Sequence, residues 1–182
     1  MNAEDVKRIL GLQPHPCEGG WYVRTWEAEE WLGPNAFADQ RYQSPRRSST
    51  AIYYLLEART FSRMHMLKSD EIFHHYMGDA VEVLQLFEDG GSSRMVLGSE
   101  IAAGQRPQCV VRRGVWQGCR LLPRPLEPGA EASGIAAGQG WALLGCTVSP
   151  GFEFEDYLDG QAESLLRKWP QEAELILTLS KG

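Results

Sequence analysis

No stretch of 18 consecutive apolar residues occurs in this 182-residue chain, so no membrane-spanning helix of ordinary length is expected. There is no basic excess either. Lys and Arg total 18 against 24 Asp and Glu, a formal charge of -6, which argues against a general binder of phosphate backbones. Neither nucleic acid nor membrane is therefore expected as a partner. The N-terminal run Met1-Asn-Ala-Glu-Asp-Val-Lys-Arg-Ile-Leu10 lacks the apolar core of a signal peptide, and a cytoplasmic location is expected. The four cysteines, Cys17, Cys109, Cys119 and Cys146, form no Cys-x-x-Cys pair. They read as small buried hydrophobes in a reducing compartment rather than as disulfides or thiolate ligands. Internal repeats and low-complexity tails are also absent.

What the chain does have is enough apolar material, 43% of residues, to bury a full core in one domain. Residues 3–10 read as a short amphipathic helix stopped by Gly11. Trp21 to Trp26 reads as a strand, and residues 32–48 as a long surface loop. Short β-prone runs then follow at 50–57, 61–67, 71–77, 81–87, 93–98, 108–112, 115–122 and 140–148, with Asp89-Gly-Gly91 a strong hairpin signal. Many short strands with almost no helix between them imply a sandwich or barrel. Pro123 to Gly138 reads as a Pro/Gly/Ala-rich loop. Residues 162–169 and 171–179 read as two helices parted by Pro170. The expectation is a single all-β domain over 1–182, with a barrel core at about 20–157 and helices at about 158–180.

The densest chemistry lies in Ser62-Arg-Met-His-Met-Leu-Lys-Ser-Asp-Glu-Ile-Phe-His-His-Tyr-Met-Gly78. His65, Glu71 and His74 fall on presumed neighbouring strands. Imidazole and carboxylate suit both proton transfer and borderline divalent metals. Strand parity puts His74 on the face of Ile72 and Tyr76, and His75 on the face of Glu71. Only a bulge or strong twist would bring His74 and Glu71 into one cavity. Parity also puts Arg63 on the face of His65, where a cation suits an anionic ligand.

With a barrel and this cluster in hand, the sequence resembles a cupin. His65, Glu71 and Gly78 match the first His, the Glu and the Gly of the usual first motif, while Leu67 stands where a second His would be. Gly104, Pro107 and Gly114 fit the second motif loosely, with Gln117 in place of its His. The departures are themselves similar to a family of small stand-alone cupins, mostly of unknown function and some called sugar-epimerase-like. Ser62-Arg-Met-His65, Ser69-Asp-Glu-Ile-Phe-His74, Gly104-Gln-Arg-Pro-Gln108, Gly114-Val-Trp-Gln117 and Gly145 to Tyr157 carry that likeness. His15-Pro-Cys-Glu-Gly-Gly-Trp21 matches the family's opening His-Pro-Glu-Gly-Gly-aromatic signature with Cys17 inserted. The resemblance implies a double-stranded β-helix of jelly-roll type, usually dimeric. The family pattern favours His74 over His75 as the pocket residue.

The resulting expectation is a small polar metabolite, a carbohydrate derivative or an oxoacid, bound in the barrel. An epimerase or isomerase would use His65 as base, Glu71 to orient it, and Tyr76 or His74 to relay the proton. Gln117 would steady a developing oxyanion. Arg63, His74, Gln117 and Tyr53 are candidate substrate contacts, and Tyr54 is a further candidate pocket residue. The rival enzyme reading places a divalent metal on His65, Glu71 and His74. The expected cofactor is thus none, or a weakly bound divalent metal. A non-catalytic binding or sensor module is the third reading. Phe152 and Phe154 are read as plugs of the barrel end and Asp156 as a helix cap, with Glu153, Glu155 or Asp156 as the alternative second carboxylate. The loop Pro45-Arg-Arg-Ser-Ser-Thr50 reads as solvated and basic. A homodimer is expected to cover the apolar strands 21–26 and 50–57.

Overall fold

The structure, a computed structural model, describes residues 1–122 and 139–180; the Pro123–Gly138 segment read above as a loop lies outside them. Helix α1 (Ala3–Leu10) starts where Asn2 accepts the Asp5 backbone N–H at 2.9 Å and the Asp5 carboxylate accepts the Asn2 N–H. These two bonds satisfy donors that a helix start otherwise leaves open. Strands β1 (Gln13–Pro14), β2 (Trp21–Glu27), β3 (Trp31–Leu32) and β4 (Arg46–Arg47) follow. The main body comprises β5 (Thr50–Glu57), β6 (Phe61–Met66), β7 (Asp70–Gly78), β8 (Val81–Leu86) and β9 (Ser92–Leu97), then β10 (Gln108–Val111), β11 (Trp116–Leu121) and β12 (Trp141–Ser149). Each matches an expected run to within one residue at either end. The chain closes with β13 (Leu158–Asp159), α2 (Ala162–Lys168) and α3 (Ala173–Leu179). Pro170 does part the last two helices, through a 3-10 turn at Pro170–Glu172.

Six strands in the order β1-β2-β5-β12-β7-β10 form one antiparallel sheet, and five in the order β13-β6-β11-β8-β9 form the other. Packed face to face, they make a jelly roll. The alternation of side chains along each strand sorts apolar residues into three cores. Tyr54, Leu56, Phe73, Val83, Val111, Leu144 and their neighbours, with Cys109, Cys119 and Cys146, fill the space between the sheets. All four cysteines are unpaired, as expected, and these three are buried. Outside the five-stranded sheet, Met64, Leu84 and Leu86 pack under Leu165, Trp169, Leu175, Ile176 and Leu179 of the C-terminal helices. Outside the six-stranded sheet, α1 lays Val6 over Leu55, Trp141 and Leu143. No helix of the described residues is long and apolar enough to cross a membrane.

The stretch expected to be a solvated basic loop is the principal correction to the fold. Arg46 is only 1% exposed. Its Nε and Nη2 donate to the two Asp156 carboxylate oxygens at 2.6 and 2.9 Å, and Glu155 pairs with the same guanidinium. Asp156 therefore caps no helix and supplies no carboxylate to the barrel. It ties the Phe154–Asp156 turn to β4, and so holds the segment from Phe152 to Asp156 against the barrel mouth. A buried fork-to-carboxylate pair of this kind costs about 3–5 kcal/mol when one partner is removed.

Candidate functional site

A cavity of about 430 Å³ opens at one end of the barrel. Its polar lining includes His15, Glu18, Arg24, Glu71 and Glu153; Tyr22, Ile52, Leu67, Val148, Phe152 and Phe154 supply apolar walls. Phe152 and Phe154 thus form a wall of the opening, edge to face at 5.2 Å, rather than a plug. Glu71 comes from β7, and its neighbours follow from strand register. Gln117 of β11 lies directly opposite His65 of β6. The ladder then slips so that Cys119, two residues on, faces Ser62, three residues back. This extra residue in β6 is a bulge. It places both Ser62 and His65 on the inner face and breaks the parity that linked Arg63 to His65. Arg63 instead lines a separate polar cleft with Asp159, Gly160 and Gln161.

Glu18 is the residue that reasoning from the sequence missed. The turn from His15 to Gly20 folds back on itself, with the His15 N–H donating to the Gly20 carbonyl at 3.0 Å, and docks on β6 through Arg63 N–H to the Glu18 carbonyl at 2.9 Å. Gly19 and Gly20 have φ of 91° and 67°, and a Cβ on either would lie 2.6 or 2.8 Å from a strand carbonyl. Only glycine allows the turn this close an approach. The Glu18 carboxylate then reaches the interior, where Ser62 Oγ donates to it at 3.2 Å. The signal was present in His15-Pro-Cys-Glu18, which served to recognise the family but was given no chemistry.

Two neutral imidazoles flank Glu18. His15 Nδ1 accepts the Glu18 and Cys17 backbone N–H groups at 3.0 and 3.4 Å, so the proton of the neutral ring sits on Nε2, 3.7 Å from Glu18 Oε1. His65 has the opposite tautomer. Its Nδ1 lies 2.7 Å from the Arg63 carbonyl and must donate to it, leaving an unprotonated Nε2 3.8 Å from the same Glu18 oxygen. That Nε2 is buried and has no hydrogen-bond partner among the described residues. Burial lowers the pKa of both rings, against the opposing pull of Glu18 on His15 and of Glu71 on His65. Tyr157 stacks on His65 at 5.2 Å and closes its far side.

Glu71 accepts from Gln117 Nε2 at 2.6 Å, while Gln117 Oε1 is buried without a partner among the described residues. Burial, then the charge of Glu18, raises the Glu71 pKa to about 7; His65 and the Gln117 bond oppose the rise. Burial also raises Glu18, against His15 and Ser62. Two carboxyl groups in one low-dielectric pocket resist holding two charges, so ionisation of one opposes ionisation of the other. Such a pair can divide the roles of base and acid.

The remaining expected site residues are distributed differently. His65 and Gln117 converge with Glu71, but at 0% and 1% exposure they stand behind it rather than at the cavity surface. His65 is oriented by the Arg63 carbonyl, not by Glu71, and Gln117 spends its amide N–H on Glu71, not on an oxyanion. His74 points away. Its ring lies near Thr147 Oγ1 at 3.3 Å and Gln108 Nε2 at 3.4 Å, and it stacks with Tyr76 at 6.3 Å. Tyr76 is 51% exposed and edge to face with Tyr53 at 5.9 Å. All three lie on the outer face of the six-stranded sheet, because β7 keeps its regular alternation from Glu71 to His74. The bulge expected to rescue His74 does occur, at Tyr76 opposite Leu143 and Leu144, but too late in the strand. His75 bonds the Asp79 carbonyl at 3.1 Å and does not join the site either. Tyr54 faces inward but spends its hydroxyl on the Gly19 carbonyl at 2.9 Å.

This geometry does not fit the metal set His65, Glu71 and His74, whose third member lies across the sheet. Among the described residues no three His, Cys, Asp or Glu side chains gather closely enough to hold a metal ion.

The model of the family described as Cupin superfamily (DUF985) matches residues 4–158. The chain belongs to this cupin family. Among solved structures, this cupin is similar to a protein of Shewanella oneidensis, at 29% identity and a TM-score of 0.79, over 100% of this chain and 98% of that one. A hypothetical protein from Leishmania major matches at 24% identity and a TM-score of 0.83, over the full length of both. Oxalate decarboxylase of Bacillus subtilis shares the fold more distantly, at 11% identity and a TM-score of 0.50, over 92% of this chain and 37% of that one. No curated protein matches the chain.

Proposed function

We propose that this cupin is an epimerase- or isomerase-type enzyme that moves a proton next to a carbonyl group of a small polar metabolite. The observation that carries the reading is the pair of buried carboxyl groups, Glu18 and Glu71, in the wall of an open cavity, with the Glu71 pKa near 7. Glu18 as carboxylate takes the proton from the carbon beside the carbonyl, and the electron pair moves onto the carbonyl oxygen. Glu71, held protonated by burial and by the charge of Glu18, returns a proton to the same carbon from its own side of the cavity as the electron pair moves back. Glu18 then loses its proton to solvent and Glu71 takes one up through the open cavity, which restores both. Assigned to positioned groups of matched pKa, proton transfer of this kind contributes about 10²–10⁴-fold to rate.

The test is wash-in of solvent deuterium. The protein is incubated in D2O with a panel of keto sugars and 2-oxoacids, and the C–H signal next to each carbonyl is followed by NMR. Loss of signal with one panel member, absent with Glu71→Gln, is the expected result. Binding of a panel member with no exchange would favour the non-catalytic module instead.

We also propose a homodimer. β1 pairs with β2 only at Trp21 and Tyr22, which leaves the rest of β2 as a sheet edge on which Trp26 is exposed. Light scattering at micromolar protein should give twice the chain mass; a monomer would remove this element.

A further inference from the structure

Among its described lining residues the cavity carries one cation, Arg24, and nothing in the proton-transfer chemistry uses it. Arg24 pairs with Ile52, which pairs with Cys146 in turn. Those two residues face inward, so Arg24 points into the barrel from β2, where its neighbours Tyr22 and Ile52 pack against the apolar core. Its guanidinium is exposed at the cavity mouth, and the protein occupies only part of its N–H groups. Nη2 donates to the Phe152 carbonyl at 3.0 Å, and Nη1 reaches Glu27 at 3.5 Å, a long contact to a carboxylate that Arg47 also holds at 3.2 Å. The other charged side chain at the cavity mouth is Glu153, which keeps the opening from being uniformly cationic.

Arg24 and Glu71 stand at opposite sides of the cavity. Their strands are separated by three steps in the order β2-β5-β12-β7, about 14 Å along the sheet. Both side chains project into the space between, so a ligand several bonds long can touch both ends at once. A guanidinium with free N–H groups is shaped to hold a carboxylate or phosphate by two bonds. Resting on the proton-transfer reading above, we infer that Arg24 is the anion anchor of this site. The ligand is then an acidic metabolite, carboxylate or phosphate at the Arg24 end and carbonyl at the Glu71 end. Tyr22, Phe152 and Phe154 line the walls of the same cavity, and such aromatic surfaces suit the C–H faces of a sugar-like body.

The probes are glucuronate, glucose 6-phosphate and glucose, which share a ring and differ in the acidic group. Calorimetric titration of the full-length protein should show one acidic probe binding at least tenfold more tightly than glucose. Which acid binds tells carboxylate from phosphate. Arg24→Gln should weaken that probe about 10- to 100-fold, to the level of glucose, in keeping with the loss of a charged hydrogen-bonding pair. Glu71→Gln should leave the acidic preference in place, because it alters the other end. Equal binding of the three probes to the parent protein, no binding of any, or an unchanged preference in Arg24→Gln would each overturn the anchor. An acidic preference that Arg24→Gln abolishes, with no deuterium wash-in from any acidic keto sugar or 2-oxoacid, would count against the proton-transfer reading alone; wash-in with no acidic preference would count against the anchor alone.

Discussion

The two faces of the six-stranded sheet carry similar residue types and very different environments. Inside, Glu71 is 6% exposed, its pKa pushed to about 7, with the carboxyl of Glu18 and two imidazoles around it. Outside, three residues further along the same strand, His74 sits half-buried between Thr147, Gln108 and Tyr76. The inner groups meet in a confined space where each charge is felt by the next. The outer ones lie beside exposed side chains, where solvent screens them. Proximity in sequence therefore says little about shared chemistry in a strand; parity and bulges decide it.

The sharpest way to break the comparison is by activity. Once a substrate is found by deuterium wash-in, Glu71→Gln should lower exchange at least 100-fold, and Glu18→Gln by a similar factor. His74→Ala and Tyr76→Phe, on the outer face, should change it by less than about twofold. Loss of exchange in His74→Ala with folding intact would mean that the outer face belongs to the site.

Stability against pH sharpens it next. A carboxyl whose folded pKa is raised contributes stability below its unfolded value, about 4.5, and loses it as pH climbs through the folded value near 7. Glu71→Gln cannot ionise, so it should be more stable than the parent protein at pH 8, by up to about 3 kcal/mol at roughly 1.4 kcal/mol per pH unit. His15 and His65 act in the opposite sense. Their lowered pKa values give stability present above about 6.5 and lost on acidification. In Glu71→Gln that acid-side loss should stand out, and thermal melts from pH 4 to 9 would show it. An unchanged profile would mean that Glu71 is ionised and satisfied in the folded protein.

Most of the fold was legible because its signals are local. Alternating runs such as Val81–Leu86 show their period directly, and Pro170 and Asp89-Gly-Gly91 mark breaks. The site was legible only in part, because three of its features are not local. The β6 bulge shifts Arg63 off the face of His65, which no count of residues reveals. Glu18 arrives from a turn more than forty positions before Ser62, its hydrogen-bond partner. Arg46 becomes a buried ligand of Asp156 across the chain, although Pro45-Arg-Arg-Ser-Ser has the composition of a solvated loop.

Gln117→Leu tests the link between inner residues at a smaller scale. It removes the 2.6 Å bond that holds down the Glu71 pKa, and removes the orphan Oε1 as well. The net change in stability should stay within about 1–3 kcal/mol. The alkaline limb of the exchange profile, set by ionisation of Glu71, should move to higher pH, since an undonated carboxylate is harder to ionise. A limb that moves down or stays fixed would show that another group sets it.

The smallest effect belongs to the outer face. Tyr76 lies directly over Gly145 of β12, and a Cβ added there would come within 2.2–2.6 Å of the Tyr76 hydroxyl and ring. That overlap would be severe in the core. Here Tyr76 is 51% exposed, so its ring can swing into solvent, at the cost of its contacts with Tyr53 and His74. Gly145→Ala should therefore cost no more than about 1 kcal/mol, about the worth of one aromatic contact, and part of that is regained because alanine suits a strand better than glycine. Exchange activity and its pH profile should be unchanged. Gly78→Ala makes the control on the same sheet. Its Cβ would meet the Trp141 carbonyl at 2.3 Å with φ at 96°, and backbone cannot swing aside. If Gly145→Ala proved as damaging as Gly78→Ala, or altered exchange, the outer aromatic cluster would be coupled to the cavity through β12, and the separation of the two faces would fail.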